Sequence, residues 1–179
     1  MIRSFFGIPI PEDVRKEIYK IITELKRDLK NVKWVEEENL HITLKFLGNI
    51  EEKKIEEIRE EVKKFLKDIK PFEVQLQDFG VFPSKTRARV LWIGMGSGKE
   101  NVAQLNQRIE ESMERIGFKR EKREFSPHLT IGRIRNPRPL SLNISYQSRG
   151  FKVNKFILYK SELSEKGPKY FPLLTFYIK

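Results

Sequence analysis

The chain contains two histidines only, and both open the same four-residue pattern, His41-Ile42-Thr43-Leu44 and His128-Leu129-Thr130-Ile131. Threonine fills 5 of 179 positions, so its recurrence two places after each histidine marks a duplication rather than background. On an extended strand alternate side chains share a face, which sets His41 with Thr43 on one side and Ile42 with Leu44 on the other. His128 and Thr130 stand the same way against Leu129 and Ile131. Each copy therefore presents an imidazole beside a hydroxyl, anchored by two apolar residues. Facing each other across a cleft, the copies supply two proton-transfer groups and two neutral hydrogen-bond donors. That set suits phosphodiester chemistry: a neutral imidazole takes the nucleophile's proton and a protonated one gives a proton to the leaving oxygen. The hydroxyls can meet the non-bridging oxygens, whose charge grows in the transition state. Residue types alone leave open which histidine is acid and which is base. No group of Asp, Glu and His has metal-ligand spacing, so no metal and no cofactor is expected.

The elements that must bring the motifs together also repeat. Strand, helix and histidine-bearing strand run from Phe5 to His41, an interval of 36, and from Leu91 to His128, an interval of 37. Helical periodicity marks three segments. The first carries Val14, Ile18, Ile21, Ile22, Leu25 and Leu29 after Pro11, a residue suited to a first turn. The second carries Ile55, Ile58, Val62, Phe65, Leu66 and Ile69, with Asn49 and Glu52 placed like a capping box. The third carries Val102, Leu105, Ile109, Met113 and Ile116 and stops at Gly117, a C-terminal cap. Strand-like runs occupy 2–10, 32–36, 40–47, 72–82, 88–95, 128–134, 151–160 and 170–178. Strand–helix units mixed with consecutive strands predict an α+β fold: two pseudo-symmetric lobes of largely antiparallel sheet, helices on the outer faces and a central groove. Residues 1–179 are expected to form one such two-lobed domain.

Composition narrows the partners. Lys and Arg number 36 against 25 Asp and Glu, a net charge of +11, which favours polyanions over acidic proteins. Charged residues reach 34% and cysteine is absent. That excludes thiol chemistry and thiolate metal sites, and it fits a reducing, cytoplasmic setting and a heat-adapted surface. No apolar run is long enough for a membrane span. Basic clusters at 85–89, 119–123 and 133–138 could follow an RNA backbone or simply be solvated. Gly94-Met95-Gly96-Ser97-Gly98-Lys99-Glu100 imitates a phosphate-binding loop but lacks its first glycine and its final hydroxyl residue, so it reads as a strand-to-helix turn.

His41-Ile-Thr-Leu-Lys-Phe-Leu-Gly48 and Phe125-Ser-Pro-His-Leu-Thr-Ile-Gly-Arg133 resemble the signature motifs of the two-histidine (2H) phosphoesterases. Within that superfamily the chain is similar to the bacterial and archaeal RNA 2′,3′-cyclic phosphodiesterases, also called 2′–5′ RNA ligases. The likeness extends to Arg3-Ser-Phe-Phe-Gly-Ile, to Arg89-Val-Leu-Trp92 and to the tail with Ser161, Gly167 and Tyr170. It implies His41 as proton donor, His128 as proton acceptor, Thr43 and Thr130 as phosphate holders, and RNA with a 2′,3′-cyclic phosphate end as substrate. It also implies that Arg133 stabilises phosphate charge. Strict alternation turns Arg133 away from His128, so a bulge at Gly132 is expected. Three activities follow for test: hydrolysis of the cyclic end to a 2′-phosphate, ligation of that end to a 5′-hydroxyl, or RNA binding without catalysis. A monomer is expected.

Overall fold

The three periodic segments form the helices α1 (Glu12–Asp28), α2 (Lys54–Leu66) and α3 (Lys99–Arg115) in the computed structural model, which describes residues 1–179. Their apolar stripes are buried, Ile18 and Ile22 on α1, Ile58 and Val62 on α2, Leu105 and Ile109 on α3. α3 ends as expected. Gly117 adopts φ +94°, its N–H bonds the Glu114 carbonyl, and the Phe118 N–H reaches back to Met113, a pairing that needs a left-handed residue at this turn. The start of α2 differs from expectation. Asn49 lies within a strand and no side chain caps the helix. The chain instead tightens straight after that strand, and the Glu51 and Glu52 carbonyls accept from the N–H groups of Lys54 and Ile55.

Ten strands alternate with the helices: β1 (Ile2–Pro9), β2 (Val32–Trp34), β3 (His41–Ile50), β4 (Phe72–Val74), β5 (Leu76–Phe82), β6 (Ala88–Met95), β7 (Leu129–Arg138), β8 (Phe151–Val153), β9 (Lys155–Ser164) and β10 (Gly167–Tyr177). Every pairing is antiparallel, and the fold is α+β. The main sheet runs β10-β9-β1-β3-β7-β6-β5, with β2 attached to β7. Two runs that read as single strands are each divided. The run 72–82 breaks at Gln75 and the run 151–160 at Asn154, so that β4 and β8 pair with each other apart from the main sheet. Gln75 carries the break because its side-chain amide is committed to the Ser148 carbonyl while its own N–H and carbonyl bond Ser97 and Gly96.

One pair of residues, Ile42 and Leu129, joins β3 to β7 and so joins the two halves of the sheet. Each half is also fastened to the other by the segment following its own helix. After α1, β2 crosses to pair with β7, Trp34 opposite Gly132. After α3, the chain crosses to β3, where the Lys45 ammonium bonds the Lys119 carbonyl at 3.0 Å and the Glu110 carboxylate at 2.7 Å. The Asn106 amide on α3 donates to the Leu44 carbonyl at 2.8 Å. α3 therefore covers the face of β3 opposite the histidine. No helix is long and apolar enough to cross a membrane.

The Lys45–Glu110 pair is nearly dry, its side chains 4% and 9% exposed. Truncating one partner leaves the other charge buried and uncompensated, so Lys45→Ala is expected to lower unfolding free energy by about 3–5 kcal/mol. Replacing both, with Lys45→Met and Glu110→Leu, is expected to restore most of that loss. Urea unfolding of the three proteins checks the sequence of stabilities.

Candidate active site

Because β3 and β7 meet at the residues that follow the two histidines, antiparallel pairing sets His41 opposite Thr130 and His128 opposite Thr43. The imidazoles are then diagonal neighbours on one face, their Cα atoms about 7–8 Å apart. Ile42, Leu44, Leu129 and Ile131 are buried on the other face, while His41, Thr43, His128 and Thr130 are half-buried and open to the groove. All four residues of the paired motifs thus meet at the seam.

The repeat extends to the hydrogen bonds. His41 Nδ1 donates to the carbonyl of Asn39 and His128 Nδ1 to that of Ser126, each two residues earlier and each at 2.6 Å. These bonds fix the ring orientation and leave Nε2 as the reactive nitrogen. The Thr43 hydroxyl donates to His41 Nε2 at 2.8 Å. Asn39 is itself held, its buried amide donating to the Pro168 carbonyl of β10 at 2.8 Å.

It extends to the bulges as well. In β3, Gly7 faces Thr43 and Phe6 faces Lys45, so Leu44 is the extra residue. In β7, Trp92 faces Thr130 and Leu91 faces Gly132, so Ile131 is the extra residue. Each bulge lies three residues past its histidine and reverses the alternation beyond it. In β7 the reversal buries Ile134 and returns Arg133 to the groove face, resolving the conflict that strict alternation posed. In β3 it brings Phe46 to the groove face, where the ring is 63% exposed. Arg133 and Phe46 are thus matching positions, five residues after each histidine, one cationic and one aromatic.

Aromatic side chains complete both walls. Phe5 sits centrally, its ring centroid 4.9 Å from His41, 5.2 Å from Tyr159, 4.9 Å from Tyr170 and 5.9 Å from Phe46. Opposite, Phe82 stands edge-on to His128 at 5.0 Å and leans on Trp92. Trp92 lies directly across Gly80, where a Cβ would come within 2.1 Å of the indole. Residue type alone identified none of these aromatics as groove residues. The equal offset of Phe46 and Arg133 from the two histidines is a sequence signal that could have found Phe46, once the bulges are known.

Burial pushes both imidazoles below their ordinary pKa. For His41 the fall reaches about 4, with burial the main cause, the Asn39 carbonyl opposing it, and the charges of His128 and Arg133 adding to it. His128 is lowered by burial, opposed by the Ser126 carbonyl and assisted by Arg133. The charge of Arg133 thus reaches both rings from the groove face. Burial raises Tyr159 to about 12 and lifts Tyr170 also, so both stay protonated donors. The basic clusters are divided in use. Arg120 pairs with Glu111 and Glu114, and Arg138 donates to the Lys30 carbonyl, while Arg133 makes no ion pair.

A groove lined by two imidazoles, two hydroxyls and one guanidinium, on two halves of one sheet, has the make-up that the resemblance to the two-histidine phosphoesterases implies. The chain belongs to the LigT-like phosphoesterases: the model of that family matches residues 8–92 and again 93–170. It is 39% identical to the RNA 2′,3′-cyclic phosphodiesterase of Methanocaldococcus jannaschii, over 94% of this chain and 96% of that protein. The protein of the same name from Archaeoglobus fulgidus is 35% identical over 97% and 99% of the two chains. Among solved structures, TT0787 of Thermus thermophilus superposes with a TM-score of 0.82 at 25% identity, covering 99% of this chain and 98% of that one. Escherichia coli LigT complexed with 3′-AMP gives 0.80, also at 25% identity and with the same coverage.

Titration of the free protein by NMR is expected to find both imidazoles below the unperturbed ~6.5, His41 at about 4. Arg133→Gln removes a positive charge and is expected to raise both. The unfolded chain binds the His41 proton at the ordinary pKa. The stability gained from a neutral His41 is therefore full above ~6.5 and declines as pH falls toward the folded-state value.

Proposed function

We propose that the chain, acting over residues 1–179 as one two-lobed unit, is an RNA 2′,3′-cyclic phosphodiesterase that opens the cyclic end with water to leave a 2′-phosphate. The observation that carries this reading is the convergence of both His-x-Thr motifs at the Ile42–Leu129 seam. The relatives' shared name supports the substrate. His128 Nε2 takes a proton from water as it attacks phosphorus in line with the 3′-oxygen, and His41 Nε2 gives a proton to that oxygen as the P–O3′ bond breaks. The choice of the 3′-oxygen and the donor and acceptor roles follow the family resemblance.

The chain's residues give each step a physical basis. In the free site both rings are neutral at pH 7, because burial and Arg133 disfavour a second positive charge. An anionic cyclic phosphate between them reverses that balance, so one imidazole takes up a proton as substrate binds. When His41 Nε2 carries that proton, the Thr43 hydroxyl can no longer donate to it and turns to a non-bridging oxygen. Thr130, which makes no bond to His128, donates to the phosphate from the opposite strand, and Arg133 meets the growing negative charge. Proton transfer and hydrogen bonding account for each step, so turnover is expected to continue in the presence of a chelator. Phe46, exposed beside this point, offers a flat surface on which the terminal base can stack.

His41→Ala and His128→Ala are each expected to lower kcat by about 10²–10⁴-fold on an oligonucleotide ending in a 2′,3′-cyclic phosphate. Near-normal turnover by either variant rejects the mechanism. Binding that persists without turnover even in the wild type points to a non-catalytic RNA module instead. The roles are separated by a cyclic substrate with sulfur in place of the 3′-oxygen, since a thiolate leaves without a proton. That substrate is expected to rescue His41→Ala and not His128→Ala, and the reverse pattern exchanges the roles. Ligation replaces water by a 5′-hydroxyl at the same phosphorus. Supplying a 5′-hydroxyl oligonucleotide with the cyclic one and analysing products for a 2′–5′ bond measures that share.

A further inference from the structure

Beyond the histidine groove, a cavity of about 390 Å³ opens where β1 turns into α1, lined by Arg15, Lys152 and Lys155 with Glu38, Leu40 and Tyr159. Three cations face one carboxylate there, and none of the three makes an ion pair. The Arg15 Nε is buried with no hydrogen-bond partner, a costly state for a charged donor unless an acceptor arrives.

The cavity adjoins the reacting centre. Leu40 precedes His41, and the Tyr159 ring lies 6.2 Å from the His41 ring while its hydroxyl feels the Arg15 charge. The strand register fixes the separation. Pro9 faces His41, and β9 lies on the other side of β1 with Gly7 opposite Ile157, two residues along each strand from Pro9 and Lys155. Two strand spacings, about 10 Å, therefore separate β3, which carries His41, from β9, which carries Lys155. Lys155 and Tyr159 project from the same face of β9, the face that carries the groove.

The geometry points to a second phosphate subsite that takes the 5′-phosphodiester of the terminal nucleotide. This deepens the reading of the groove as a cyclic phosphodiesterase and rests on it. An RNA that ends in a 2′,3′-cyclic phosphate continues only through the 5′-oxygen of its last ribose, so the nearest other phosphate is one ribose away. Arg15 Nε and the two lysines only donate, and the Tyr159 hydroxyl can donate beside them, which matches a phosphodiester's bare oxygens. Glu38 at the rim leaves a net lining charge of +2 (three cations less one carboxylate). The enzyme would thus select polymer ends over free cyclic mononucleotides.

The test compares adenosine 2′,3′-cyclic phosphate with the same nucleotide carrying a methyl-esterified 5′-phosphate, a diester with no second base. Wild type is expected to favour the diester in kcat/KM by about tenfold or more, the scale of a charge-assisted hydrogen bond. Arg15→Gln and Lys155→Gln should each collapse that ratio toward one. A wild-type ratio near one, or a ratio unaltered in both variants, overturns the subsite. Calorimetric titration with the methyl ester of adenosine 5′-monophosphate gives a reading independent of turnover. Affinity at least severalfold weaker in Arg15→Gln supports the cavity, and equal affinity overturns it. If wild type opens neither cyclic substrate, the proposed reaction fails while this titration still decides the cavity.

Discussion

A single antiparallel contact, Ile42 against Leu129, governs the geometry of this protein. Both residues are wholly buried, and each is preceded by a histidine and followed by a threonine. With a side-chain period of two, burying this one pair forces all four polar neighbours onto the opposite face. A slip of one residue at the seam would bury the imidazoles and expose the isoleucine and leucine. Register is therefore held by the same apolar burial that holds the halves together. Because the two strands share only this contact, they diverge on either side of it and open the groove.

The rest of the fold serves to hold that seam. β2 crosses to β7, the segment after α3 crosses to β3, and the dry Lys45–Glu110 pair fastens the second crossing. The bulges at Leu44 and Ile131 have a double effect. They turn Lys45 toward α3, where it anchors the fold, and they turn Phe46 and Arg133 toward the groove, where a ring and a cation are wanted. Equal backbone geometry thus carries unequal chemistry, and the site is symmetric in its two proton carriers but not in what surrounds them.

Electrostatics run through the same geometry. Arg133 adds its charge to the burial that lowers both imidazoles. The overall charge of +11 is not spread as uniform basic stripes: Arg120 and Arg138 are engaged within the fold, whereas Arg133, Arg15 and Lys155 make no ion pair. Net charge favours encounter with a polyanion, but placement decides where it is held.

Much was legible in the residues alone. The duplicated His-x-Thr motif, the matched intervals of 36 and 37 and the three amphipathic stripes pointed to an α+β chain with two equivalent halves, because hydrophobic period and local motif spacing are properties of contiguous sequence. Gly117 declared its cap for the same reason. What stayed hidden was non-local. The division of 72–82 and 151–160 into strands of different sheets depends on what lies beside Gln75 and Asn154. The failed cap at Asn49 depends on how far β3 continues to pair with β1. The aromatic walls and the Arg15 cavity arise where strands distant in sequence lie side by side. Residue order names the imidazoles, hydroxyls and guanidinium that line the groove. Which way each group faces is set by pairing register and bulges between distant strands, and no local pattern encodes those.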